Sequence, residues 1–162
     1  MVAEFARLSR ENEALRKELE VARAEQETDR KHARLCEILA SNRVAFLVGW
    51  DDIPERQVQA TLLDVFGWLA PNLVDPMTTE WASRIVASSA LRESAHREIR
   101  ATGDSHTIFV QAFTDFMAYG LVSAKPNGVG NTKWTITASG LDFQSFLRRR
   151  RMESQVREGL PV

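Results

Sequence analysis

Cysteine occurs once in the 162 residues, at Cys36. A single thiol excludes an intrachain disulfide and a multi-thiolate metal site. The three histidines, His32, His96 and His106, form no His-x-x-x-His or Cys/His spacing, so no zinc site is expected. No stretch approaches the roughly 18 uncharged apolar residues of a bilayer-spanning helix, and no membrane span is expected. The amino-terminal segment has no apolar signal-peptide core, which makes the cytoplasm the expected location. Charge of one sign is lacking too. The 21 Lys plus Arg meet 22 Asp plus Glu, a net charge of −1, so the whole chain has no attraction for nucleic acid or anionic lipid.

Arrangements that carry chemistry are equally scarce. Ser88 and Ser89 have no nucleophile-elbow motif around them. Gly128-Val129-Gly130 lacks the following helix and the lysine of a phosphate loop, and reads as a turn. Asp51 and Asp52 are adjacent carboxylates in a loop, where such a pair is normally solvated. His32 reads as solvated, His96 lies among Arg and Glu on a helix, and His106 is a polar residue near a helix start. The expectation is a non-enzymatic chain without cofactor or metal. Core-forming material is present: 44% of residues are hydrophobic, with eight Phe and four Trp, too much apolar surface for a disordered chain.

Every Gly and Pro lies beyond position 48, so the first 42 residues can form one uninterrupted helix ending near Asn42. Over roughly 3–41 it would be about 58 Å long, more than a small globule covers, and a partner is expected. With Phe5 at heptad position a, the a positions are Phe5, Asn12, Leu19 and Gln26, and the d positions are Leu8, Leu15, Ala22 and Asp29. The seam is apolar through Ala22 and then decays. Position g holds Glu4, Glu11, Glu18 and Glu25; position e holds Ser9, Arg16, Arg23 and Arg30. A parallel dimer therefore sets Glu11 against Arg16, Glu18 against Arg23 and Glu25 against Arg30 of the other strand. An antiparallel pair sets like against like. Each exposed pair contributes only about 0.3–0.5 kcal/mol, but the change of sign over three pairs discriminates. Asn12 at an a position favours two strands in one register. The bland alternative is a single solvated helix held by its own Glu–Arg and Glu–Lys pairs. Near the helix end, Leu35, Ile38 and Leu39 shift the pattern toward core packing, and Cys36 reads as a buried, inert thiol.

Residues 43–48 read as a strand, Asp51 to Glu55 as a loop containing Pro54, and Arg56 to Ala60 as a second strand. Thr61 with Asp64 resembles a capping box ahead of a helical face of Leu62, Phe66, Leu69 and Leu73, broken by Pro71. Pro76, Thr78 and Thr79 open a second helical stretch toward Ile99. A third runs from about His106 to Tyr119 after a start at Gly103 to Ser105, with Gly120 as its C′ glycine. Leu121 to Lys125, a turn at Pro126 to Gly130, and Thr132 to Thr137 read as a hairpin, and Thr137 caps a helix bearing Phe143, Phe146 and Leu147. Helix, Gly120-Leu121-Val122, hairpin, Trp134 to Gly140 and helix, in that order, resemble a winged-helix domain over roughly residues 56–147. The segments Leu63 to Phe66, Ala70-Pro71, Gln111 to Val122 and Trp134 to Thr137 also look similar to the C-terminal region of certain bacterial multidomain proteins. Those carry an N-terminal domain of unknown function related to TIR and nucleoside deoxyribosyltransferase folds. That resemblance implies a dimerising, regulatory tail or a stand-alone relative.

The expected fold is mainly α with a small β-sheet: a long N-terminal coiled-coil helix followed by a winged-helix-like α+β domain. Its divisions are a parallel coiled-coil dimerisation helix at 1–42, the winged-helix-like domain at 43–147, and a basic helix end and tail at 148–162. In winged-helix DNA binders the third helix enters the major groove and phosphate contacts require Lys or Arg. Between Asp104 and Tyr119 there is neither; Gln111 and Thr114 remain as candidate base contacts. Lys125 and Lys133 on the hairpin and Arg148, Arg149, Arg150 and Arg151 are the candidate phosphate contacts. Four consecutive arginines fan around a helix, however, and suit a solvated helix end. The expected function is a homodimeric assembly or protein-interaction module with an unidentified protein partner, whose third helix is core or interface. A dimeric DNA-binding transcriptional regulator is the alternative.

Overall fold

The computed structural model describes residues 2–50, 53–91, 100–101, 103–128 and 131–157. These residues form a mainly helical chain with small antiparallel sheets and a long N-terminal helix. The order is α1 (Val2–Ser41), β1 (Arg43–Trp50), β2 (Ile53–Thr61), α2 (Leu62–Leu69), β3 (Met77–Thr78), α3 (Thr79–Leu91), β4 (Arg100–Ala101), α4 (Gly103–Ala118), β5 (Val122–Asn127), β6 (Asn131–Ile136) and α5 (Ala138–Arg157). Contacts divide the chain into two compact units, Met1–Cys36 and Glu37–Val162, so the division falls inside α1, ahead of its end at Ser41. Among the described residues no helix is long and apolar enough to cross a membrane.

The second unit contains two three-stranded sheets, ordered β2-β1-β4 and β3-β6-β5. β1 and β2 pair antiparallel from Arg43↔Thr61 to Trp50↔Ile53. The loop expected over Asp51 to Glu55 is shorter than that, because β2 already begins at Ile53 and takes in Pro54 and Glu55; Asp51 and Asp52 lie outside the described residues. Proline is tolerated there because β2 is an edge strand and needs no ladder donor on its outer side. At the end of β2, Thr61 Oγ1 accepts from the Asp64 backbone N–H, while the Asp64 carboxylate accepts from the Thr61 N–H at 2.9 Å. The capping box forms although aspartate replaces the usual glutamate.

The expected helical face of Leu62, Phe66, Leu69 and Leu73 is buried. Phe66 contacts Phe116 and Phe143, each at a ring-centroid distance of 5.5 Å. Phe113 stacks on Trp134 at 4.5 Å, and the Trp134 indole N–H donates to Thr79 Oγ1 at 2.9 Å, so the buried ring keeps its polar atom satisfied. Two-residue strands carry no periodicity, and β3 and β4 fall in stretches where the sequence predicted helix or loop. The second helix starts at Thr79 and is described to Leu91; the remainder of the predicted stretch, including His96, lies outside the described residues.

The third helix starts at Gly103, three residues before His106. It ends as predicted at Gly120, whose φ of 70° is the left-handed conformation that glycine adopts cheaply. The Gly120 N–H donates to the Met117 carbonyl and the Leu121 N–H to the Phe116 carbonyl, the two bonds of a Schellman motif. Thr137 then joins α4 to α5: its hydroxyl donates to the Gly120 carbonyl and accepts from the Gly140 N–H. Gly140 sits so close to this junction that a Cβ would lie 2.1 Å from the Leu121 carbonyl oxygen. α5 continues to Arg157, so Arg148 to Arg151 lie within the helix and not at its end, where the expected boundary had placed them.

Candidate interaction surfaces

Residues 4–30 of α1 are exposed, with Ala6 half-buried. The predicted seam residues Phe5, Leu8, Asn12, Leu15, Leu19 and Ala22 are all in water; Phe5 is 78% and Leu15 64% exposed. Heptad spacing places them on one stripe of the helix. Continued past Asp29, the same heptad reaches Ala33, which is half-buried, and Cys36, which is buried; Leu39 beyond them is fully buried. His32, expected to be solvated, is half-buried.

Ion pairs within α1 link Arg7 to Glu11 at 3.5 Å, Glu13 to Lys17 at 3.3 Å and Glu27 to Lys31 at 3.7 Å. Two of these lie on the b and f positions, away from the seam. Glu11 is the one predicted g residue engaged within its own helix. Among the described residues no ion pair engages Arg16, Glu18, Arg23, Glu25 or Arg30, all of which are exposed. Intrahelical pairing thus leaves most of the flanking charge available.

The apolar residues of α4 divide between two environments. Phe109, Ala112, Phe113 and Phe116 are core, whereas Val110 in mid-helix, Met117 in the last turn and Tyr119 just beyond it are exposed. The side chains of His106 and Ile108 lie outside the described residues. Gln111 and Thr114 are exposed as predicted, but each is engaged locally: Gln111 donates to Asp115 at 3.1 Å and Thr114 to the Val110 carbonyl at 2.8 Å. No cation stands on this helix.

Lys125 and Lys133 are directly opposite each other in the β5–β6 ladder, and Thr78 of β3 is opposite Lys133. Thr78, Lys133 and Lys125 therefore form one row on one face of the sheet. Met77 and Trp134, on the other face, are buried. Arg148, Arg149, Arg150 and Arg151 are all exposed on α5, but at about 100° per residue they do not share a face with one another.

Sequence reasoning missed Trp81. It is 60% exposed in the first turn of α3, with the Arg84 guanidinium 5.7 Å from its ring centre and Glu80 holding Arg84 at 2.8 Å. The signal was available in the spacing: Thr79, Ala82, Ser83, Val86 and Ala87 form the buried face of α3, and Trp81 falls outside it. No protein family, curated protein or solved structure matches the chain, so these surfaces rest on their own residues.

Proposed function

We propose that the chain is a parallel coiled-coil homodimer carrying two winged-helix-like domains, and that it serves as a non-enzymatic assembly or interaction module. The observation that carries this reading is the exposed stripe of Phe5, Leu8, Leu15 and Leu19 at heptad spacing on α1. Four large apolar side chains at heptad spacing are costly in water, at about 25 cal/mol for each Å² left exposed. A second copy covers them with its own identical stripe. The flanking Glu18, Glu25, Arg16, Arg23 and Arg30 favour the parallel arrangement, and Asn12 favours two strands. The order α2, β3, α3, α4, β5, β6, with a β3-β6-β5 sheet behind α4, supports the winged-helix reading of the second unit.

A dimeric DNA-binding regulator is the second reading, favoured by the uncompensated hairpin lysines. Its difficulty is α4, whose exposed residues offer no phosphate anchor, against the roughly six to ten contacts of a specific binder. Light scattering tests the first reading: the expected mass is twice that of the chain. A monomer at tens of micromolar overturns it. Leu15→Asp is expected to abolish association while leaving the thermal melt of the second unit in place, since Leu15 is 64% exposed within its own chain.

A further inference from the structure

We propose that the outer face of the β3-β6-β5 sheet, together with the Trp81 ring at its β3 end, binds single-stranded nucleic acid, with phosphates on Lys125 and Lys133 and a base stacked on Trp81. This goes beyond self-association and does not depend on it.

The register makes the case for the phosphates. Lys125 and Lys133 are direct cross-strand partners. Two like charges in that relation are destabilising unless a counter-charge is present. The strands Met77–Thr78, Val122–Asn127 and Asn131–Ile136 contain no Asp or Glu, and among the described residues neither lysine has an ion pair. The same face also carries Ser123, Thr135 and Thr78, whose hydroxyls are donors suited to an anionic backbone.

Trp81 supplies the second element. Its backbone N–H donates to Thr78 Oγ1 at 3.3 Å, so the first turn of α3 is tied to the residue that ends the row of Thr78, Lys133 and Lys125. Most of the Trp81 surface is in water, and the Arg84–Glu80 pair restrains the ring at little further entropic cost. An exposed aromatic beside a cationic track is the arrangement that stacks unpaired bases, because every base has a π-face. A duplex hides those faces and is read through its grooves, and α4 brings no cation to a groove. Two lysines give a shallow salt dependence, with log K falling by about 1.4 per decade of salt for each protomer at roughly 0.7 per phosphate.

Fluorescence anisotropy of the full chain with a labelled oligothymidine at low salt tests the proposal. Saturable binding with that shallow slope is expected. Trp81→Ala should weaken it by about 5- to 150-fold, and Trp81→Phe should restore most of the affinity. Lys125→Ala combined with Lys133→Ala should flatten the salt dependence. Trp81 and Lys125 are exposed and Lys133 is half-buried, so an unchanged thermal melt verifies that each variant is folded. Absence of binding at low salt, binding indifferent to Trp81→Ala, or equal or tighter binding to a duplex of the same length would overturn the proposal.

Discussion

Phe5 and Phe66 are the same residue in opposite circumstances: the first is 78% exposed and the second is fully buried. Around Phe66 the chain covers its own apolar surface with rings from α4 and α5. Around Phe5 it does not, although the spacing there is as regular. The second unit thus covers an apolar core of its own, while the stripe of residues 4–30 stays in water. The difference lies in the charges as well: two of the three described ion pairs on α1 sit on b and f positions, and none of them engages Arg16, Glu18, Arg23, Glu25 or Arg30.

Phe66 is the side chain whose loss should cost the second unit most. Phe66→Ala removes a ring that touches two others and should destabilise the second unit by about 3–5 kcal/mol. The equivalent change at Phe5 should leave that unit's urea midpoint unchanged and should weaken only association. Equal shifts in urea for both variants would show that the two regions are not energetically separate.

Gly140→Ala probes the same unit at its backbone. Alanine favours a helix over glycine by about 0.5–1 kcal/mol. Here the added Cβ would lie 2.1 Å from the Leu121 carbonyl oxygen and 2.7 Å from Ile136 Cγ1, so α5 must move off the end of α4. Overpacking costs about 1–3 kcal/mol, and the clash is with backbone, so the net effect should be a loss of about 1–2 kcal/mol in a thermal melt. A stabilised variant would show that the junction gives more easily than its geometry implies.

Much of this was legible wherever a local rule decides the outcome. The capping box at Thr61 and Asp64, the C′ glycine at position 120, the cap at Thr137 and the buried face of α2 all follow from a few neighbouring residues. What was not legible depends on long-range register. β3 and β4 are too short to show a pattern, and the placement of Thr78 beside Lys133 emerges only when distant segments pair. Pro54 misled because proline signals a loop, yet an edge strand accepts it. The seam residues were legible as a stripe, and their exposure is a property of the folded chain that spacing alone does not give.

The smallest effect tests orientation. Glu18 and Arg23 lack ion pairs within their own helix, so changing either leaves no intrachain bond to account for. In the proposed parallel dimer, Arg23→Glu converts two symmetric Glu18–Arg23 contacts from attraction to repulsion. At about 0.3–0.5 kcal/mol for each contact, counted once for the loss and once for the repulsion, association should weaken by roughly 1–2 kcal/mol. Glu18→Arg alone should do the same. Combining the two restores opposite charges across the seam and should return the dissociation constant, measured by sedimentation equilibrium, to near its original value. In an antiparallel pair the g residues face each other, as do the e residues. Away from the twofold axis, each single variant then sets an opposite charge against an unchanged g or e residue and should not weaken association. Weakening by each single variant with recovery in the double therefore identifies the parallel seam, and single variants that leave association unchanged or strengthen it exclude it.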